Sequence, residues 1–113
     1  MASASPNFLG NPACVDPEEA FIASLASCHM LSFLAIAAKK RFVVDSYNDC
    51  AVGCLEKNAA GHYALTEVNL KPKINFGGER TPSAEELKQM HDLAHHQCFI
   101  ANSVKTEVTI ESP

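Results

Sequence analysis

The chain has 113 residues, a length that fits one small domain. Apolar residues make up 47% of it, and the net charge of -4 comes without any block of like charge. There is no basic patch with interleaved aromatic residues, so nucleic acid is not expected as a partner. We see no export signal and therefore expect a cytoplasmic protein. Its five cysteines are then more often reduced, catalytic or metal-bound than paired in structural disulfides.

The N-terminal part of the chain divides into an arm and a helix. Residues 1–15 show no period and contain Ser, Pro, Asn and Gly, which predicts an arm before a domain covering residues 16–113. The longest pattern of the sequence follows over residues 16–40. It begins with Asp16 as N-cap and Glu19 completing a capping box, so a long helix is predicted here.

This first helix is apolar around most of its circumference, which predicts that it is buried nearly all round. Its length could span a bilayer, but Ser24, Ser27 and Ser32 and its clear cap favour a core helix over a membrane segment. One subunit of this size can hardly surround such a helix. We therefore expect a homodimer in which the partner covers part of it.

The rest of the chain predicts a hairpin, a helix and a strand. Residues 42–56 and 63–76 are strand-like, and the polar linker 57–62 contains the Asn and Gly of a turn. A second helix, also starting with a capping box, is predicted over residues 83–98, and a half-buried strand over residues 104–111. The fold class is therefore α+β, with a long central helix and a second helix packed on an antiparallel sheet.

Two cysteines are candidates for chemistry. Cys28 lies deep in the first helix, where a small buried core residue is the common interpretation. The alternative is a reactive thiolate, which needs a cation or a hydrogen-bond donor to lower its pKa and access for substrate. Cys98, at the end of the second helix, makes sense beside it as a resolving thiol, because a sulfenic acid on one cysteine condenses with a second thiol.

The other cysteines and His29 are assigned structural roles. Cys50 and Cys54 lie four residues apart in a strand, about 13 Å, too far for a disulfide or a shared metal. Cys14 is taken as incidental. His29 follows Cys28 directly but points about 100° away round the helix, so a packing or hydrogen-bonded histidine is preferred over a base.

A metal site is the remaining alternative. His91 and His95 lie at i and i+4 on one helical face, with Cys98 nearby, and such a pair can bind zinc. No HExxH or CxxC motif and no clear fourth ligand accompany them. A solvated helical face is the preferred explanation, and no metal or other cofactor is expected.

Two separated motifs resemble the OsmC/Ohr family of thiol peroxidases: DPEEAFIASLASCH at residues 16–29 and AHHQCFIANSVKTEV at residues 94–108, with ALTEVNLKP between them. The resemblance covers about residues 16–111. It implies an OsmC-like fold in an intertwined homodimer, and a cysteine-based reductase of organic hydroperoxides with active sites at the subunit interface.

By position in those motifs, Cys28 corresponds to the peroxidatic cysteine, Cys98 to the resolving cysteine and Glu18 to the active-site glutamate. The implied reaction forms a Cys28–Cys98 disulfide, which an external dithiol reduces. Ten residues of straight helix separate Glu18 from Cys28 by about 15 Å, so we expect Glu18 to serve the partner subunit's site.

One departure from the family is an N-terminal shortening. The strands that precede the helix in the family, and the arginine on them that stabilises the thiolate, have no counterpart here. Arg41 and Arg80 are the only arginines, and neither has the matching position, although Arg80 is a conceivable substitute. The alternative function is therefore a non-catalytic redox-sensing or lipid-binding relative that lacks this arginine.

Overall fold

A computed structural model describes residues 17–111 of the chain. Its helices and strands follow in the order α1 (Pro17–Lys39), β1 (Val43–Asp49), β2 (Val52–Lys57), β3 (Tyr63–Leu70), β4 (Pro72–Gly77), α2 (Ala84–Gln97), α3 (Phe99–Asn102) and β5 (Glu107–Ile110). The α+β class predicted from the sequence is confirmed.

The long helix α1 ends in a tight C-terminal turn. Arg41 adopts φ 63°, and the backbone N–H of Phe42 donates to the carbonyl of Ala37 at 2.9 Å, while that of Arg41 donates to Ala38 at 3.1 Å. This is the Schellman arrangement, in which a left-handed residue satisfies the last carbonyls of the helix. Arginine carries a steric cost at this position that glycine avoids. At the other end, the predicted cap Asp16 lies outside the described residues.

The four central strands are two halves of one bent hairpin. The strand β2 pairs with β3, and β1 pairs with β4, all antiparallel. The two sheets keep the same pairing register, because Asp49 pairs with Pro72 at the end of one sheet and Val52 pairs with Asn69 at the start of the other. Each long strand predicted from the sequence is thus divided in two. Pro72 has no N–H for the ladder, and the side chain of Asp49 accepts from the N–H of Lys71 instead, at 2.8 Å.

The hairpin turn and the last strand complete the sheets. Asn58 organises the turn, because its side-chain oxygen accepts from the N–H groups of Ala60 and His62. The strand β5 lies alongside β3 in parallel, so the three-stranded sheet is mixed, with order β2-β3-β5. A parallel pair needs a long crossover connection, and α2 and α3 lie within it.

The helix α2 starts with the capping box that the sequence predicts. The Ser83 hydroxyl accepts from the N–H of Glu86 at 3.1 Å, and the Glu86 carboxylate accepts from the N–H of Ser83 at 3.5 Å. This helix packs against α1. The core that forms where they meet the β1–β4 sheet is a cluster of six buried residues: Phe33, Ile36, Ala37, Phe42, Met90 and Ala94.

A second, smaller core lies where the N-terminal half of α1 meets the three-stranded sheet, and its buried members are Leu25, Val68 and Leu70. Together the two cores cover one face of α1. Leu31 on the other face is 65% exposed, so a single chain does not surround α1, as expected from the sequence. Burial of this face by a partner subunit stays a prediction. By length and composition α1 could cross a membrane, and an incompletely covered core helix passes the same test.

Candidate active site

The site is built at the break between α2 and α3. Cys98 has extended backbone angles, φ −74° and ψ 109°, and serves as both the C-cap of α2 and the N-cap of α3. The Asn102 side chain donates to the carbonyl of His96 at 3.0 Å, and its N–H donates to that of Cys98 at 3.1 Å. These two bonds tie α3 back onto the end of α2. As at the start of any helix, the first N–H groups of α3 have no partners within the helix.

The sulfur of Cys28 accepts hydrogen bonds from two of those N–H groups. Burial alone would raise the pKa of the Cys28 thiol, but the Cys98 thiol and the backbone N–H groups of Ile100 and Phe99 all donate to its sulfur. Their combined effect exceeds that of burial, and the pKa of Cys28 is lowered. These hydrogen bonds favour the thiolate form of Cys28, and no charged side chain is among the causes of the shift.

Cys98 has the opposite chemistry. Its side chain is only 1% exposed, and burial raises the pKa of its thiol. The hydrogen bond that it donates to Cys28 raises that pKa further. The surroundings therefore favour loss of the proton from Cys28 and retention of the proton on Cys98. Both cysteines are unpaired in this structure. The two residues that the sequence paired across 70 positions are brought together.

An open apolar groove of about 460 Å³ borders Cys28. Phe99 at its edge is 80% exposed, and Leu31 presents most of its side chain to the same space. The groove gives a substrate access to the half-buried Cys28 sulfur. Its lining residues are Cys28, Leu31, Ser32, Ala35, Gln97 and Phe99.

Glu18 does not join Cys28 within one chain. The helix α1 is continuous from Pro17 to Lys39, so about 15 Å of helix separates the two residues. The Glu18 Oε2 atom is nevertheless buried, and it has no hydrogen-bond partner among residues 17–111. A buried carboxylate oxygen without a partner is costly.

Arg80 does not replace the family's arginine within the subunit. Its guanidinium donates to the carbonyl of Lys40 at 2.9 Å and lies 4.5 Å from the ring centroid of Phe42. This position is at the C-terminal end of α1, about 18 Å along the helix from Cys28. Arg41 occupies the left-handed position at the same end.

His29 and His91 form a buried pair between α1 and α2. His29 Nε2 lies 2.9 Å from His91 Nδ1, and His91 also stacks on Phe33 with ring centroids 4.6 Å apart. The preference for a hydrogen-bonded His29 is confirmed. The solvated face expected for His91 and His95 is wrong, because His91 is 2% exposed and His95 is half-buried. His91 adjoins Met90 and Ala94 on the apolar face of α2, and this spacing could have predicted that His91 is buried.

These two histidines are held neutral. Burial lowers the pKa of His29 to about 4, and electrostatic repulsion between a protonated His29 and its neighbours His91 and His95 adds to this. Burial also lowers the pKa of His91 to about 4. Each ring engages the other in the core, His29 Nε2 with His91 Nδ1. Among residues 17–111, no group of three potential ligands has the geometry of a metal site.

The remaining cysteines lie apart from the site. A structural role was predicted for Cys50 and Cys54. Both are exposed, so they do not pack in the core. Cys14 lies outside the described residues. Sequence reasoning missed the backbone donors on Phe99 and Ile100, since no residue type marks the helix break at Cys98.

Comparisons with known proteins agree with this geometry. The family model for OsmC-like proteins matches residues 10–112. An OsmC-like protein of unknown function from Vibrio cholerae is 55% identical, with TM-score 0.94, and the match covers 97% of this chain and 74% of that one. No curated protein matches.

More distant solved structures share the fold. An organic hydroperoxide resistance protein from Legionella pneumophila is 17% identical with TM-score 0.74, covering 96% of this chain and 75% of that one. One from Bacillus subtilis is 18% identical with TM-score 0.71, covering 89% and 77%. The family model and the Vibrio cholerae relative carry the assignment: the chain belongs to the family of OsmC-like proteins.

Proposed function

We propose that the protein is a thiol peroxidase that reduces organic hydroperoxides. The observation that carries the proposal is the Cys28–Cys98 pair, with a lowered pKa on Cys28, a raised pKa on Cys98 and an apolar groove beside them. Resistance to organic hydroperoxides in two fold relatives supports the same chemistry. The apolar groove favours organic hydroperoxides over hydrogen peroxide.

The reaction proceeds in three balanced steps. The Cys28 thiolate attacks the terminal oxygen of the hydroperoxide, the O–O bond breaks, and the alkoxide leaves as an alcohol after taking a proton. The resulting Cys28 sulfenic acid condenses with the Cys98 thiol, releasing water and forming the disulfide. An external dithiol then reduces the disulfide through a mixed disulfide and is itself oxidised. We place this cycle in the cytoplasm, with no cofactor or metal.

The test is a peptide map of the reduced protein after one equivalent of cumene hydroperoxide, with hydrogen peroxide in parallel. We expect a Cys28–Cys98 disulfide that forms faster with the organic peroxide. The exposed thiols give a matched control: the Cys50→Ser/Cys54→Ser double variant should react as the wild type does, and Cys28→Ser should not react. Slow, scattered oxidation of several cysteines would refute the proposal.

We further propose a homodimer whose site is composite, with Glu18 of one subunit serving Cys28 of the other. Support comes from the distance of about 15 Å within one chain and from the buried, unpartnered Glu18 Oε2. Subunit exchange between the Glu18→Gln and Cys28→Ser variants tests this arrangement. Only a composite site would regain activity on mixing, since the mixed dimer then holds one site with both native residues. An absence of recovery in a verified mixed dimer would contradict it.

A second function follows from the arginines. Within residues 17–111 neither Arg41 nor Arg80 lies beside Cys28, and this favours a non-catalytic redox-sensing or lipid-binding protein. Such a protein would oxidise once and slowly. Steady-state consumption of hydroperoxide with excess dithiothreitol separates the two functions, because only the peroxidase consumes many equivalents per chain.

A further inference from the structure

A cavity of about 410 Å³ lies where the bent hairpin passes from one sheet to the other. Its lining residues are Asn48, Asp49, Cys50, Lys71 and Lys73. Cys50 lies in the break between β1 and β2, and Lys71 lies in the break between β3 and β4. Because the pairing register is the same on both sides of these breaks, Cys50 stands opposite Lys71. The cavity shares no lining residue with the groove beside Cys28.

The thiol and the lysines share the outer face of the hairpin. Asn48 pairs with Lys73 across the ladder, and side chains two residues apart along a strand point to the same face. Cys50 and Lys71 continue that face, and all four side chains are exposed. Ile74, on the opposite face, packs against the core that α1 helps to form. A partner subunit covering the exposed side of α1 would therefore lie away from this cavity.

The cavity carries more positive than negative charge. The ammonium groups of Lys71 and Lys73 have no partner among residues 17–111. Asp49 is the one carboxylate among the lining residues, and its Oδ1 accepts from the backbone N–H of Lys71 at 2.8 Å. Two cations therefore outnumber one anion around the exposed sulfur of Cys50.

Cys54, the other exposed thiol of the hairpin, has the opposite surroundings. It lies in β2, four residues after Cys50, and pairs directly with Glu67 of β3. Side chains paired in this way are close neighbours on one face of the sheet. The cross-strand neighbour of Cys54 is thus a carboxylate, whereas that of Cys50 is an ammonium group. An anionic reagent should distinguish the two thiols.

We infer that Cys50 is a site of thiol–disulfide exchange with an anionic peptide disulfide of the glutathione type, whose carboxylates pair with Lys71 and Lys73. Each glutathione unit carries two carboxylates and one ammonium group, the complement of the two ammonium groups and one carboxylate that line the cavity. This site does not depend on the proposed peroxidase, because it uses neither the catalytic cysteines nor their groove.

The exchange needs only the disulfide as oxidant. The Cys50 thiolate attacks one sulfur of glutathione disulfide, the S–S bond breaks, and one glutathione leaves as a thiolate that takes up a proton. Cys50 is thereby oxidised to a mixed disulfide, while the departing half is reduced. Reduced glutathione reverses the step by attacking the mixed disulfide.

The test compares the two exposed thiols with three disulfides: anionic glutathione disulfide, neutral 2-hydroxyethyl disulfide and dicationic cystamine. Both thiols fall in one tryptic peptide, residues 42–57, so Cys54→Ser reports on Cys50 and Cys50→Ser reports on Cys54. The ratio of the Cys50 rate to the Cys54 rate should be about three- to tenfold higher with glutathione disulfide than with the neutral disulfide, the effect of about two exposed ion pairs. It should be lowest with cystamine. A ratio that was the same for all three disulfides would show accessibility alone and would overturn the inference.

Two lysine variants assign the preference to the cavity. In Lys71→Gln/Lys73→Gln the rate ratio with glutathione disulfide should fall to that of the neutral disulfide. Lys39→Gln/Lys40→Gln removes the same charge at the end of α1 and should keep the wild-type ratio. Added salt should lower the ratio in the wild type and leave it nearly unchanged in the first variant. An equal loss in both variants would mean that overall charge sets the preference, and the inference would be wrong.

Discussion

Acid should destabilise this fold through the His29–His91 pair. Both histidines are neutral in the core with a pKa of about 4, against an ordinary value of 6.5 in the unfolded chain. The unfolded state therefore binds more protons between those two values. The stability that the pair contributes is complete above pH 6.5 and is lost as the pH falls toward 4. Below that, both states are protonated and the loss stops.

The size of the effect follows from the shift in pKa. A fall from 6.5 to about 4 corresponds to a free energy on the order of 3 kcal/mol for each histidine. The two side chains are 1% and 2% exposed, so solvent screening reduces this little. Near pH 5 the free energy of unfolding should fall by about 1.4 kcal/mol per pH unit for each histidine. Against a total stability of about 5–15 kcal/mol, this is a large loss.

Urea denaturation at a series of pH values between 7.5 and 4 measures this dependence. The His29→Leu/His91→Phe variant replaces both partners with apolar side chains, which costs little when both sides of a hydrogen bond are removed together. Its stability should vary with pH only as the carboxylates dictate. His62→Gln, at the exposed hairpin turn, is the matched control and should keep the wild-type dependence. If the double variant lost stability between pH 6.5 and 4.5 as steeply as the wild type, the reasoning would be refuted.

Three further predictions concern single residues. Arg41→Gly should raise the free energy of unfolding by about 1 kcal/mol in urea denaturation, because glycine accepts φ 63° without steric cost; no gain would show that the turn is relaxed in solution. Ser83→Ala should lower it by about 1 kcal/mol through loss of the α2 cap, with Ser27→Ala on the exposed face of α1 as control. Cys98→Ser should let the Cys28 sulfenic acid accumulate after cumene hydroperoxide, visible by dimedone labelling and mass spectrometry; undiminished disulfide formation would point to another resolving cysteine.

The sequence predicted those features that local chemistry determines. Ser83 and Glu86 mark the start of α2 because a capping box is complete within four residues. The alternation of apolar and polar residues predicted the hairpin. It did not predict the division of each strand at Lys71, because the backbone N–H of Lys71 bonds to the Asp49 side chain, which lies far away in the sequence. The parallel pairing of β5 with β3 also depends on tertiary packing, so the residue pattern within β5 does not predict it.

The candidate site was predictable in its residues and not in its electrostatics. Cys28 and Cys98 stood out through the family motifs, yet of the donors that lower the Cys28 pKa only the Cys98 thiol is a side chain. The others are the backbone N–H groups of Ile100 and Phe99. Backbone N–H groups leave no trace in residue types. The burial of His91 was not predicted, because the i, i+4 spacing of His91 and His95 is the same on a solvent-exposed helix face as on a buried one. Only the packing of α2 against α1 distinguishes the two cases.

The bent hairpin sets an order for folding. From the Asn58 turn, β2 pairs with β3 and then β1 with β4 in one continuous register, so the hairpin can close from the turn outward without a long loop. The His29–His91 contact instead joins residues 62 positions apart. Docking of α1 on α2 should therefore come late, after the transition state. Protonating that pair would then accelerate unfolding while leaving the refolding rate nearly unchanged.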